Sequence, residues 1–404
     1  MPRLALCCLL VLLLAPGAAQ AGPAPPAIDH LTANNGPQSG GNRVVIEGSG
    51  IRGESPVTKV TFGGRPALGF TVVSATQISA VAPAGRGEAE VRLTNSRGES
   101  SPAAAAGRYA YDPPPEGPWL GLNGNSLQYL GPIDAFQELG VVYDRSAGID
   151  WRAGETLARA GRALWTSIAA GMIPVITIEN AIYGCVPGQS CLPATPAAIT
   201  AYVQGFISSA REILARYPAV PILFEVINEP WFYGTAGQYA ALLASLLPAA
   251  ARAHLPLDRI YAAATAGCWI PGIYQTRPAL QSEIKGWYAH LYPAKGPAEG
   301  IASLPALQAE MTSGQSNLIV SEIGFCAPDV NHAGSLCPAP ALPSTKGAEA
   351  LRGQLDAAVP FHRAGWLRAL IVYSRNDRGW AMQLKGGRLT AEGEALEAFA
   401  KSQR

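Results

Sequence analysis

Two acidic residues stand at the ends of apolar runs in the second half of the chain. Glu229 follows Val226-Ile227-Asn228 and precedes Pro230-Trp231, and Glu322 lies in Val320-Ser321-Glu322-Ile323-Gly324. Both runs read as apolar until the carboxylate appears. Two carboxylates brought face to face suit the cleavage of a glycosidic bond. One, protonated, assists the leaving oxygen; the other, ionised, attacks the anomeric carbon, and a gap of about 5 Å selects the retaining, covalent route. In that scheme the proton donor needs a raised pKa, supplied by an apolar wall and by the charge of its ionised partner. Once the nucleophile is glycosylated its charge is gone, and the donor releases its proton and acts as base for water.

The elements that must position these residues are legible as alternating apolar runs and amphipathic stretches. Candidate strands are 119–124, 141–145, 173–180, 222–229, 260–265, 286–292, 318–324 and 369–375. Candidate helices are 155–170, 196–216, 237–253, 302–314, 346–364 and 391–402, with a faint one around IDAFQELG. Eight strand-helix repeats predict a (β/α)8 TIM barrel, an α/β fold that places chemistry at the C-terminal ends of its strands. On this reading Glu229 ends the fourth strand and Glu322 the seventh. A doubly wound open sheet is the rival, but LNGNSL is a poor match to the Gly-rich phosphate loop expected after its first strand.

With Asn228-Glu229-Pro230, His290-Leu291-Tyr292 and Ser321-Glu322-Ile323-Gly324 in this order, each at a strand end, residues 119–404 resemble the clan-A, cellulase-like glycoside hydrolases. The resemblance implies that Glu229 is the acid/base and Glu322 the nucleophile. It implies that Asn228 hydrogen-bonds the sugar 2-hydroxyl. Tyr292 is expected to donate to Glu322 and keep it ionised, and His290 to contact substrate or orient the acid/base. The clan's arginine beside the nucleophile is matched by Arg145, although Asp144 offers it an ordinary ion pair instead. The clan's sugar-flooring tryptophan has two candidates, Tyr373 and Trp380. Trp231, Tyr233 and Trp269 also follow strand ends, as cleft lining or as packing, and Asn123 and Asn180 are candidate substrate contacts.

The first part of the chain has a different texture. Over 26–112, short runs with period-two alternation are broken by Gly, Asn and Pro turns, which predicts a small all-β sandwich. Its GP-x-x-GG-x-x-V-x-I-x-G-x-G pattern, followed by VTFGG and ISAVAPAG, resembles the IPT/TIG immunoglobulin-like domain. Some such domains bind DNA, but this one lacks a basic cluster. It reads as a spacer, or as a module docking glycan or another protein. The Pro-rich stretch 113–118 is a stiff linker.

Composition narrows the remaining choices. A chain of 404 residues with 48% hydrophobic content supports a small domain plus a barrel. A formal charge of +1 supplies no field for nucleic acid or an acidic membrane. Arg3, the apolar run Leu4–Leu14 and the small residues Ala18, Ala19 and Ala21 read as a signal peptide over 1–21, with an uncleaved anchor as the alternative. Export to the extracellular space, the periplasm or the cell surface then favours disulfides. Cys185 and Cys191 flank one short loop and Cys326 and Cys337 another, and two closed loops are expected, with Cys268 left as a buried thiol. The two-carboxylate reading requires no cofactor. Five histidines and these cysteine spacings fit a metal centre poorly. The function expected is a secreted retaining glycoside hydrolase acting on β-linked polysaccharide or oligosaccharide. The alternatives are an exo-acting, β-xylosidase-like enzyme and a non-catalytic glycan-binding surface protein.

Overall fold

The computed structural model describes residues 25–100, 106–112, 117–124, 139–150, 164–179, 191–293, 299–312, 314–325, 344–373, 382 and 388–403. The leader, Asn180, Cys185, Cys326, Cys337, Trp380 and most of the linker lie outside them.

The N-terminal segment forms two facing sheets. One orders Ala27–Thr32, Arg43–Ser49, Gln77–Val81 and Gly69–Val72; the other orders Asn35–Pro37, Arg108–Asp112, Gly87–Asn95, Lys59–Phe62 and Arg65–Pro66, with Gly98–Glu99 paired to Gly87–Asn95. Alternation is the cause. In Arg43–Ser49 the buried positions are Val44, Ile46 and Gly48, and Val44 and Ile46 pack with Ile78, Phe62, Leu93 and Tyr109. The Tyr109 hydroxyl donates to Asn42 Oδ1 at 2.8 Å, so the largest core ring keeps its polar end satisfied. The paired glycines of the motif have a backbone reason. Gly40 has φ +68°, and a Cβ there would meet the Pro83 carbonyl carbon at 2.4 Å.

Eight parallel strands then close into a barrel in chain order: Leu120–Asn123, Tyr143–Asp150, Ile173–Glu179, Leu223–Val226, Ile260–Ala264, Trp287–His290, Leu318–Ile323 and Leu367–Tyr373. Closure is made by the last strand on the first, with Leu120 opposite Leu370 and Asn123 opposite Tyr373. Each expected strand has its counterpart. The fourth ends sooner than expected, at Val226, and the second runs on to Asp150. Barrel strands are buried on both faces, as parallel strands wrapped by helices are: all of Leu223–Val226, Ile260–Ala264 and Leu318–Ile323 is buried.

Caps set the helix starts. Thr195 opens Pro196–Arg216 and Thr390 opens Ala391–Ser402, each accepting from a first-turn amide, and Thr235 with Gln238 makes a capping box for Ala236–Arg252. Ser344–Arg363 matches its expectation, whereas 302–314 shortens to Leu304–Glu310 after a 3-10 turn. Of 155–170, residues 164–169 are helical and the earlier part is not described. Two short helices, Trp269–Thr276 and Leu280–Glu283, were not expected.

The sandwich rests on the N-terminal end of the barrel. Ser39 Oγ donates to the Ala364 carbonyl at 2.8 Å and Ser316 Oγ donates to Asp112; Ser316 and Ala364 immediately precede the seventh and eighth strands. That end is opposite the one where Glu229 and Glu322 emerge. Among the described residues no helix is long and apolar enough to cross a membrane.

Candidate active site

The turn after the fourth strand holds its residues in unusual backbone. Ile227 has φ 60° and Glu229 φ 45°, both left-handed. For a β-branched residue this is an outlier, and the residue before a proline normally prefers extended backbone. Such conformations cost on the order of 1–3 kcal/mol each and persist only where the surroundings over-determine them. Here they do. Ile227 N donates to Ile178 O at 3.2 Å. Tyr239 donates to the Val226 carbonyl at 2.9 Å and Tyr288 to that of Ile227. Asn228 N donates to Glu179 Oε2 at 3.3 Å. The kinked chain then enters a 3-10 turn over Pro230–Phe232, which leaves the Glu229 side chain a quarter exposed at the mouth (25%).

Three other strands that bear site residues lose register near them. Pairing shifts between Asp144 and Ala147, between Ala289 and His290, and between Val320 and Ile323. Irregularities of this kind re-aim side chains at the rims of barrels. Arg145, His290 and Glu322 are the residues so turned.

Glu322 is held by two strong donors. Arg145 Nη1 lies 2.5 Å from its Oε1, and the Tyr292 hydroxyl donates to its Oε2 at 2.7 Å. The guanidinium is shared. Its Nε and Nη2 both reach Glu225 Oε2, at 2.8 and 2.7 Å, and Nη2 also donates to Asn228 Oδ1 at 2.8 Å. Arg145 thus pairs with Glu225 and Glu322 rather than with adjacent Asp144, which accepts from Ser167. Burial works against the Arg145 charge, but the two carboxylates outweigh it and raise its pKa. Burial, then the nearby charge of Glu322, pushes the Tyr292 phenol well up, so it remains a donor. The hydrogen-bond pattern orients the Asn123 amide with its oxygen on Arg145 Nη1 (3.1 Å) and its nitrogen on the Arg145 carbonyl (2.7 Å). Asn123 is therefore a brace for Arg145.

His290 joins the two acids. Its Nδ1 is 2.9 Å from Glu229 Oε1 and 3.4 Å from Glu322 Oε2, and its ring is almost wholly buried. Its Nε2 is buried without a partner among the described residues. One ligand atom from each of Glu229, His290 and Glu322 lies within 4.8 Å of the others, a donor set that also suits a cation. An ion there would sit beside the Arg145 guanidinium, which is already paired with Glu322.

Aromatic rings border the acid pair. Trp231 packs edge-on to His290 and to Trp269, each at 6.1 Å, and Tyr373 packs edge-on to Tyr292 at 6.3 Å. Trp269 is a packing residue, buried with its Nε1 on the Ala263 carbonyl. Phe232, which the sequence reading passed over, is 51% exposed beside the acid.

Two expectations are corrected. The fourth strand is not apolar up to its mouth: Glu225 is fully buried within it, as is Glu179 at the end of the third. A carboxylate inside an apolar run must find a cation or donors, and that was the available signal. Cys268 is a free thiol but an exposed one, since it precedes Trp269–Thr276 in a surface turn. Of the two pairings open to Arg145, the one with the site is the one formed. Cys191 is disulfide-bonded.

The molecule is thus an immunoglobulin-like sandwich ahead of an eight-stranded parallel barrel with two carboxylates at its mouth. Residues 26–111 match the IPT/TIG domain, and no curated protein matches the chain. Among solved structures, the chain is similar to a family 39 glycoside hydrolase from the gut symbiont Bacteroides cellulosilyticus WH2, at 14% identity and a TM-score of 0.49, over 93% of this chain and 82% of that one. It is also similar to a GH5-4 broad specificity endoglucanase from Clostridium acetobutylicum, at 11% identity and a TM-score of 0.48, over 70% and 96%. An endo-beta-1,4-glucanase from Xanthomonas axonopodis pv. citri aligns at 14% identity and a TM-score of 0.48, over 70% and 99%.

Proposed function

We propose that this protein is a secreted retaining glycoside hydrolase that cleaves β-linked polysaccharide or oligosaccharide. The observation that carries the reading is the Glu229–Glu322 approach. Oxygens of the two carboxyl groups lie within 4.8 Å, and retaining enzymes hold their acids about 5–5.5 Å apart while inverting ones leave room for water. Glu322 attacks the anomeric carbon as the glycosidic C–O bond breaks, and Glu229 gives its proton to the departing oxygen. Water then attacks the glycosyl ester, Glu229 takes a proton from that water, and Glu322 leaves as carboxylate. Arg145 and Tyr292 orient the nucleophile. Asn228, with Arg145 on its Oδ1, has its amide nitrogen for the sugar 2-hydroxyl. Trp231, Tyr373 and Trp380 are assigned to sugar contacts. Export and closure of the loops by Cys185–Cys191 and Cys326–Cys337 belong to the same reading.

The test is a panel of aryl β-glycosides and β-glucans. Glu322→Ala should be inactive, and added azide should restore turnover and yield a glycosyl azide of inverted configuration. Full turnover by Glu322→Ala without azide would sink the assignment.

A further inference from the structure

Glu225 is a charged group with no place in the two-carboxylate reaction as described so far. It is fully buried in the fourth strand. All its contacts converge on one oxygen. Oε2 accepts from Arg145 Nε at 2.8 Å, Arg145 Nη2 at 2.7 Å and Thr177 Oγ1 at 2.9 Å, while Oε1 is buried without a partner among the described residues. One guanidinium therefore bridges two carboxylates, Glu225 through two nitrogens and Glu322 through the third, Nη1, at 2.5 Å.

The charges of this triad change during the reaction. With the nucleophile free, one cation faces two anions. When Glu322 forms its bond to the anomeric carbon and the leaving oxygen departs with the proton of Glu229, Glu322 becomes an uncharged ester. Arg145, only 8% exposed, then has lost one counter-ion in a place water hardly reaches. An unpaired buried charge is strongly unfavourable, whereas a hydrogen-bonded pair is tolerated. We propose that Glu225 is a positioning residue that keeps the Arg145 guanidinium paired through the covalent half of the reaction and turns its Nη1 toward Glu322. The assignment rests on the retaining reading above. Glu225 need not touch substrate, and it acts only through Arg145.

The experiment is a cycle of Glu225→Gln, Arg145→Met and Arg145→Met/Glu225→Met, assayed on whichever aryl β-glycoside the parent cleaves, with folding followed by circular dichroism. Glu225→Gln should lower kcat by about tenfold to a hundredfold with KM within about twofold, and the burst of released aryl alcohol that reports the glycosyl-enzyme should shrink. The double variant should match Arg145→Met within about twofold, because without the cation there is nothing to compensate. Losses that multiply across the cycle, or an unchanged kcat and burst in Glu225→Gln, would overturn the assignment alone. If Glu225→Gln fails to fold, a folded double variant with the activity of Arg145→Met supports charge compensation, and a double variant that also fails to fold overturns it. A parent that cleaves no glycoside, or a Glu322→Ala variant that retains full turnover, removes the retaining reading and this assignment with it.

Discussion

His290 Nδ1 lies 2.9 Å from Glu229 Oε1, and the left-handed backbone of Glu229 (φ 45°) aims the carboxyl at that ring. The histidine holds one oxygen of Glu229, and in the proposed reaction the other serves the substrate. His290→Ala should therefore disorder the proton donor. We expect a loss of about a hundredfold in kcat/KM on glycosides with poor leaving groups, and a much smaller loss on dinitrophenyl glycosides, which need little protonation. A Brønsted plot of the variant checks this, and equal losses across leaving groups would count against it.

On the proposed retaining reaction, Glu229→Ala should separate the two chemical steps. With an activated leaving group the first step survives and the second stalls, so kcat and KM should fall together. Azide should restore turnover with a product of retained configuration, opposite to that from Glu322→Ala. Product stereochemistry by proton NMR decides it.

Tyr292→Phe removes a hydrogen bond to a charged oxygen without changing shape (2.7 Å in the parent). Such bonds contribute about 1.5–3 kcal/mol, so kcat should fall by about tenfold to a hundredfold. A kcat within about twofold of the parent would exclude a role for this donor.

The barrel also makes a prediction about alkali. Tyr202, Tyr239, Tyr288 and Tyr292 all have raised pKa values, with burial the largest cause. Each keeps its proton when folded and releases it when unfolded, so the unfolded state binds fewer protons once the pH passes about 10. Their contribution is fully present below that pH and declines above it. Urea midpoints measured from pH 8 to 11.5 should be level in this respect up to about 10 and fall beyond it.

Phe232 stands 51% exposed, with its backbone N donating to the Glu229 carbonyl, and adjoins the Trp231 ring at 6.1 Å. If it carries a sugar on the leaving-group side, Phe232→Ala should cost about 0.5–1.5 kcal/mol of binding, or about a twofold to tenfold rise in KM for oligosaccharides. KM for short aryl glycosides and the melting temperature should not move. A parallel rise in both KM values would place the ring outside the leaving-group side.

Much of the architecture is legible in the sequence. Pro196–Arg216 and Ala391–Ser402 begin where Thr195 and Thr390 can cap them, because helix starts are set by local hydrogen bonds. Trp269–Thr276 was missed because Pro271 and Gly272 hide its periodicity, and it forms by packing Ile270, Ile273 and Tyr274 into the core. Glu229 and Glu322 are visible because each ends an apolar run, whereas His290 and Tyr292 are legible only through the resemblance of His290-Leu291-Tyr292 to the clan's motif.

Local pattern and composition were enough to specify a sandwich, a barrel and the carboxylates at its mouth, since those follow from which residues seek burial and at what period. The partners of Arg145 were not specified locally. Asp144 is its neighbour in sequence, but Glu225 and Glu322 stand 80 and 177 positions away. Their meeting depends on barrel closure and on the register shifts at three strands. Nor could an apolar strand buried on both faces announce that Glu225 turns toward Arg145, because its two faces look alike in sequence. Through-space charge pairing is a property of the closed barrel, and it is there that the roles of these acids part.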